Sequence, residues 1–301
     1  MAYLRKTFWV CFLLGLGFVG LVQVSYARVP QNIHLPVDSV QIVFLANINA
    51  NYENCLCGNP PLGGLDRMLT LVERWRQKNS RLLVFDGGDF LNAYPYPAVN
   101  RLILRLYRLL QPDVLVLGDQ ELQKGNDSLQ AEMRSFPIIN SNVILAGSPL
   151  ASQMTVRLAS RRLLVFSYLD SSAFLWENPA RDVRLKEDRF ARTYRASLNP
   201  KVFRIVIFHG EQDRMKRFLQ KYPRIHLLLL AHAQIRTLQL KKIPYLIAPG
   251  SDSEYLTRIS LIFQKGKRLP RIFVKTIPVG LQIAPNSKAR NIIEAFKAGS
   301  K

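Results

Sequence analysis

Leu82-Leu83-Val84-Phe85-Asp86-Gly87-Gly88-Asp89 is the stretch on which the fold turns. Four apolar residues make a run of strand length, and it ends abruptly in two aspartates separated by two glycines. A strand with no polar alternation is buried on both faces, which is the habit of parallel sheets in α/β proteins. Ligands in such sheets collect beyond the carboxyl ends of the strands, so the residues after each apolar run are the ones to read for chemistry. Working outward, Val40–Ala46 ends in Asn47-Ile48-Asn49, and Val114–Leu117 ends in Gly118-Asp119-Gln120-Glu121. Ile205–Phe208 runs into His209-Gly210, Leu227–Leu230 into Ala231-His232-Ala233-Gln234, and Tyr245–Ala248 into Pro249-Gly250. Further runs lie at Ile138–Ile139, Leu163–Tyr168, Ile259–Phe263 and Ile272–Ile277.

Helical periodicity fills the gaps. Leu65, Leu69, Val72 and Trp75 share one face of a segment that opens after Gly63-Gly64. Leu102, Leu106 and Leu109 oppose a stripe of Arg101, Arg105 and Arg108, while Met215, Phe218, Leu219 and Tyr222 form a third apolar face. A fourth helix is expected over Lys288–Lys297. The alternation predicts an α/β fold with largely parallel strands. The short connections between the last three runs predict antiparallel pairing there. The polar stretch Ser171–Pro200 is read as a surface helix with flexible flanks. No repeat, low-complexity tract or Pro/Gly/Ser-rich linker divides the chain, so a single domain is expected over residues 28–301.

The ordered set of strand ends resembles the calcineurin-like metallophosphoesterases, whose strand ends read Asp-x-His, Gly-Asp, Gly-Asn-His-Glu, a His, and Gly-His-x-His or Gly-His-x-Gln. Pro61-Leu62-Gly63-Gly64-Leu65, Asp86-Gly87-Gly88-Asp89 and Pro137-Ile138-Ile139-Asn140-Ser141-Asn142 resemble the 5'-nucleotidase branch. The resemblance spans Gln41 to about Leu261 and implies a four-layer αββα sandwich. It also implies a pair of metal ions bridged by a carboxylate, which activate a water and clamp a phosphate.

Carried over position by position, Asp89 matches the bridging carboxylate, His209 and His232 match imidazole ligands of one metal, and Asp119 stands where that metal takes an Asn carbonyl. Asp89, Asp119, His209 and His232 thus make a two-oxygen, two-nitrogen set for one divalent cation, Zn, Mn or Fe. Asn47 and Asn49 stand at the Asp and His positions of the other metal. Neutral amides there leave Asp89 and Gln234 as its usual ligands, a degenerate second site expected to stay empty. Gln120 occupies the position of the family's catalytic His, and an amide gives up no proton at neutral pH.

Besides a basic adhesin or glycan-binding module unrelated to phosphate, which charge alone supports, two functional readings follow. In one, the chain is a 5'-nucleotidase-related protein with an eroded dinuclear site, weak or no hydrolase activity and a binding or scaffolding role. In the other, it is a metal-dependent phosphoric ester hydrolase acting on phosphate esters or nucleotides with one metal or unconventional ligands, to which Glu53, His34 or His226 would contribute. The implied ligand in either case is a phosphate-containing small molecule.

Arg5 and Lys6 precede an apolar run from Phe8 to Val24 and a small-x-small site ending at Ala27. Residues 1–27 therefore read as a signal peptide or an uncleaved anchor, with export to a periplasm or cell envelope. Of the three cysteines, Cys55 and Cys57 lie beyond that segment, too few for a disulfide scaffold, and their spacing excludes c-type haem attachment. They read as a local disulfide or two loop thiols. The 301 residues are 48% apolar, enough for one large core, and carry a formal net charge of +21. The cations are scattered without interleaved aromatics, which fits an anionic envelope surface and argues against nucleic acid.

Overall fold

In the computed structural model, described over residues 33–299 apart from 36, 57, 80, 95, 124–125, 146–149, 175–182, 234 and 236–243, the run at residue 82 becomes strand β3 (Leu82–Asp86), buried throughout. It lies between β2 (Ser39–Leu45) and β4 (Val114–Leu115), parallel to both. Beyond β2 come β12 (Tyr255–Ile262), antiparallel to it, and then β13 (Arg271–Pro278), which completes a five-stranded sheet.

A six-stranded sheet holds the later runs. Its order is β1 (Ile33–His34), β6 (Met154–Arg157), β7 (Arg162–Leu169), β9 (Val202–Gly210), β10 (Leu227–His232) and β11 (Tyr245–Ile247). Strands β7, β9, β10 and β11 are mutually parallel, and β6 is antiparallel to β7. Strands β5 (Val143–Leu145) and β8 (Val183–Leu185) form a separate antiparallel pair.

Alternation along β2 shows how the layers stack. Val43 and Leu45 face one way, into a core shared with Leu69, Leu102, Leu106 and Ile293 of helices α1 (Leu65–Lys78), α2 (Pro97–Leu110) and α6 (Ser287–Gly299). Ile42 and Phe44 face the other way, against Val165, Ile205, Ile207 and Leu229 of the second sheet. The far face of that sheet carries Phe166, Phe208 and Leu230 under Phe190 and Tyr194 of α4 (Glu187–Ala196) and Phe218 of α5 (Gln212–Lys221). The order is helix, sheet, sheet, helix, the expected four-layer αββα sandwich. Strands with an apolar layer on each side must read as unbroken apolar runs, which is why they stood out in the sequence.

Two expectations need correction, and one helix was not expected. Tyr245–Ala248 pairs parallel with β10 rather than antiparallel with the runs that follow; of these three runs, β12 and β13 alone pair antiparallel with each other. After β11 the chain turns through residues 249–254, with Asp252 and Ser253 in the left-handed region, and changes sheets. The polar stretch from Ser171 holds strand β8 and a shorter helix, α4, whose Phe190 and Tyr194 are buried; its arginines and acids mask that apolar face in the sequence. Helix α3 (Asp127–Met133), also unforeseen, follows the Gln120 turn.

No described helix is long and apolar enough to cross a membrane. Residues 1–27, expected to be a signal peptide or anchor, and Cys57 and Gln234 lie outside the described residues; Cys55 is disulfide-bonded.

Candidate metal centre

The strand ends converge. Asp89 follows β3, Asp119 follows β4, His209 is the second-last residue of β9, and His232 ends β10. One ligand atom from each of the four lies within 4.8 Å of the others. His209 Nε2 is 3.3 Å from Asp89 Oδ1 and 3.3 Å from Asp119 Oδ1. His232 Nδ1 is 3.2 Å from Asp89 Oδ2 and 3.3 Å from Asp119 Oδ1.

The surroundings aim these atoms. His209 Nδ1 lies 2.8 Å from the Gly87 carbonyl and donates its proton there, which turns Nε2 toward the carboxylates. His232 Nε2 lies 3.4 Å from Glu211 Oε1, leaving Nδ1 for the cluster. Asn47, Asn49, Asp89, His232 and Asp252 all have positive φ, between 52° and 67°. Each such non-glycine residue carries backbone strain of order 1 kcal/mol, held by its neighbours. Here Asn47 N–H donates to Gly88 O at 2.9 Å, Asn49 N–H to Asp89 O at 2.9 Å, and Asp252 N–H to Asn47 O at 2.8 Å.

Glu121 braces the turn that carries Asp89. Its two oxygens accept the backbone N–H groups of Asp89, Phe90, Leu91 and Gly118 at 2.8–2.9 Å. Burial and the nearby Asp89 charge push its pKa up to about 8 while those N–H groups pull it down. Every contact to its oxygens comes from a donor, so the ionised form is the one this geometry satisfies. Asp86, fully buried, accepts from the Tyr107 hydroxyl at 2.5 Å and from Gly88 N–H at 2.8 Å.

The two asparagines are also here, but their amides are engaged. Asn47 Nδ2 donates to Gly250 O at 3.2 Å, and its Oδ1 accepts His232 N–H at 2.8 Å. Asn49 Nδ2 donates to Asp252 Oδ1 at 2.8 Å. An ionised aspartate offers only acceptors, so this bond fixes the amide and turns Asn49 Oδ1 toward Gln120, whose Nε2 donates to it at 2.9 Å. A cavity of about 230 Å³ opens on the group, lined by Asn47, Asn49, Asp89, Asp119, Gln120, Glu211 and His232 among others. His209 lies behind it, wholly buried.

No family model matches the chain. Over 116 residues, 37% of this chain and 20% of that protein, it is 26% identical to human 5'-nucleotidase. A sulfate thiohydrolase of Thermus thermophilus, solved with glycerol, superposes with a TM-score of 0.73 at 13% identity, over 91% of this chain and 62% of that one. A 5'-nucleotidase precursor, also from Thermus thermophilus, gives 0.71 at 15%, over 87% and 59%. A calcineurin-like phosphoesterase from Bacillus subtilis gives 0.67 at 16%, over 88% of this chain and 98% of that one. The fold is that of the calcineurin-like phosphoesterases. The chain spans a fifth of the human protein and about 60% of the first two structures.

Within this phosphoesterase fold, charge at the strand ends is balanced locally. Burial alone would raise the Asp89 carboxyl, but His209 and His232 outweigh it and hold it well below the usual carboxylate range. Burial likewise opposes charge on His232, yet hydrogen bonds to Asp119 and Asp89 lift it to about 9, and His209 is also driven up by the two aspartates. Two carboxylates with two imidazoles, preset by Gly87 O and Glu211, form a donor set that fits one divalent cation. On the other side, the amide oxygens of Asn47 and Asn49 each accept one hydrogen bond from the protein, from His232 N–H and from Gln120 Nε2, and neither carries formal charge.

His34, Glu53 and His226 do not line the cavity. His34 is exposed on β1, Glu53 pairs with Lys297 Nζ at 2.8 Å, and His226 lies beside Arg204 before β10. Glu211 and Asp252 went unnoticed in the sequence. Glu211 directly follows His209-Gly210 and Asp252 follows Pro249-Gly250-Ser251, so the strand-end rule would have found both.

Proposed function

We propose that the chain is an exported, 5'-nucleotidase-like protein that holds one divalent cation, Zn, Mn or Fe, on Asp89, Asp119, His209 and His232, and binds a phosphate-bearing small molecule with weak or no hydrolysis. Residues 28–301 form its one domain, and residues 1–27 direct or anchor it to the cell envelope, whose anionic surface suits the charge of +21.

The observation that carries this reading is the engagement of Asn47 and Asn49. Their neutral amide oxygens each already accept a hydrogen bond, from His232 N–H and Gln120 Nε2, and bring no negative charge to offset the dehydration of a second ion. A cation on the four-residue cluster supplies Lewis acidity to an oxygen of a phosphoryl group. Asp89 and Asp119 supply the negative charge that retains it, His209 and His232 the nitrogens, and Glu211 orients His232. Gln120 reaches the cavity with its nitrogen turned to Asn49 and has no proton to transfer near neutral pH. A missing general acid lowers such rates by about 10²–10⁴.

The test is an assay of the full chain with p-nitrophenyl phosphate, bis-p-nitrophenyl phosphate and AMP in Mn and Zn. Turnover at or near background is expected. Efficient turnover that Asp89→Ala abolishes would overturn the proposal and install a one-metal phosphoesterase in its place.

A further inference from the structure

Cations scattered along the chain are gathered by the fold at the end of the sandwich away from the metal ligands. Parallel strands that put their carboxyl ends on one edge put their amino ends on the other. Arg81, Arg162, Lys201 and Arg224 stand at, or up to three residues before, the starts of β3, β7, β9 and β10, and all four are exposed. Strands β12 and β13 turn at the same end, because Ile262, which ends β12, pairs with Ser39, which opens β2. That turn adds Lys265, Lys267 and Arg268, and Arg271 opens β13, all exposed.

Contacts join the turns of the two sheets into one surface. Arg161 donates from Nη1 to Arg268 O at 2.9 Å and from Nη2 to Lys267 O at 3.0 Å, and its guanidinium lies 4.6 Å from the Phe263 ring centroid. A cavity of about 170 Å³, lined by Arg81, Ser260 and Ile262 among others, links the start of β3 to the end of β12. Burial lowers the Arg204 pKa, and the like charges of Arg224 and Arg268 lower it further, so these cations crowd one another. Among the described loops at this end the acids are Asp38, which accepts Ser160 N–H at 2.8 Å, and Asp113, 4.0 Å from Arg76. The carboxylates Asp89, Asp119 and Glu211 line the cavity at the other end, so the molecule is electrically polar along its strands.

Apolar side chains stand exposed among these cations. Ile262, 41% exposed, pairs with Arg271, and Phe273, 55% exposed, lies two residues further along β13 and hence on the same face. Leu198, 36% exposed, precedes Lys201. The described chain also begins here: β1 runs parallel to β6, with His34 opposite Arg157, the last residue before the β6–β7 turn. Eight residues, 25–32, separate β1 from the apolar run that ends at Val24, and such a length spans at most about 28 Å.

We propose that this basic end of the sandwich docks on an anionic phospholipid bilayer, with the metal-site cavity facing away from it. Charge alone would match any soluble polyanion. Cations interleaved with exposed Ile262 and Phe273 suit a bilayer interface, where the charges meet headgroup phosphates and the apolar side chains enter the acyl boundary. Docking at this end deepens the envelope placement proposed above and is independent of the cation site.

Flotation of the full chain with vesicles reads the effect. Phosphatidylcholine vesicles with about 30% phosphatidylglycerol should bind it at least tenfold more tightly than phosphatidylcholine alone, since each Lys or Arg at such a surface adds about fivefold. Salt at about 0.5 M should remove the difference. The apolar run at residues 8–24 enters both vesicles alike, so the ratio reports the basic end. Lys265→Glu/Lys267→Glu/Arg268→Glu should abolish the preference. Arg214→Glu/Lys216→Glu/Arg217→Glu, the same change of net charge on exposed residues of α5 next to the cavity, should keep it. A wild type without preference, a turn variant that retains it, or equal losses from both triple variants overturns the docking end. Ile262→Ser/Phe273→Ser should weaken binding to the anionic vesicles at least about threefold; no change would leave charge acting alone and overturn the bilayer as the occupant. Cell fractionation reads export and metal content reads the cation site, so a cytosolic or metal-free chain that still prefers anionic vesicles through the 265–268 turn overturns those readings and keeps the docking end.

Discussion

At the residue scale the site is built on close approach. A Cβ on Gly118 would sit 2.3 Å from Asp89 Oδ1 and 2.4 Å from His209 Cε1, both buried side chains with nowhere to go. Gly118→Ala is therefore expected to push two ligands apart and weaken cation binding at least tenfold, as read by metal titration, with an overpacking cost of about 1–3 kcal/mol in denaturant unfolding. Asp89, Asp119, His209 and His232 were legible one residue at a time, because each follows an apolar run. Their partners were not. Asn49 and Asp252 are 203 positions apart in the chain, and nothing local says that one amide will be turned by the other's carboxylate. The left-handed backbone at Asn47, Asp89 and His232 is equally silent in the sequence, since it is imposed by neighbours on other strands.

At the scale of elements, the loop after β3 depends on one carboxylate. Glu121→Gln would set an amide NH2 against backbone N–H donors in a dry site, and a loss of about 2–4 kcal/mol in unfolding free energy is expected, with the Asp89 turn displaced. Where β9 runs beside β10, His226 Nδ1 accepts Arg204 N–H at 3.0 Å, and burial, then Arg204 and Arg268, hold its pKa down to about 4. Between about pH 6.5 and pH 4 the unfolded chain binds a proton there that the folded chain does not, so stability falls as pH drops through that window. Up to about 3 kcal/mol rests on it. Unfolding curves at pH 7 and pH 4.5 should show a smaller acid penalty for His226→Gln than for wild type; an equal penalty would assign the effect to other groups. The buried strands were readable from their apolar runs, whereas β1, β5, β6 and β8 have two to four residues each and too little apolar surface to stand out. Strand β11 looked like part of a terminal meander because chain distance is a poor guide when a turn crosses between sheets.

At the scale of the whole molecule, two sheets bring five strand ends to one edge of the sandwich, and the chemistry is set by what stands there. The order of those ends along the chain was visible in the sequence; which of their atoms were still free to hold an ion was not, since that depends on hydrogen bonds closed by the fold. One half of the pocket collects two carboxylates and two imidazoles within 4.8 Å, and the other half holds the amides of Asn47, Asn49 and Gln120, hydrogen-bonded to the protein except for the buried Gln120 Oε1, which has no partner. The account therefore stands on the number of ions bound. Crystals of the Mn-loaded full chain, measured at the manganese absorption edge, should give one anomalous peak at this site, in contact with Asp89, Asp119, His209 and His232 and absent in Asp89→Ala. A second peak beside Asn47 and Asn49, or no peak at the four-residue cluster, would contradict it.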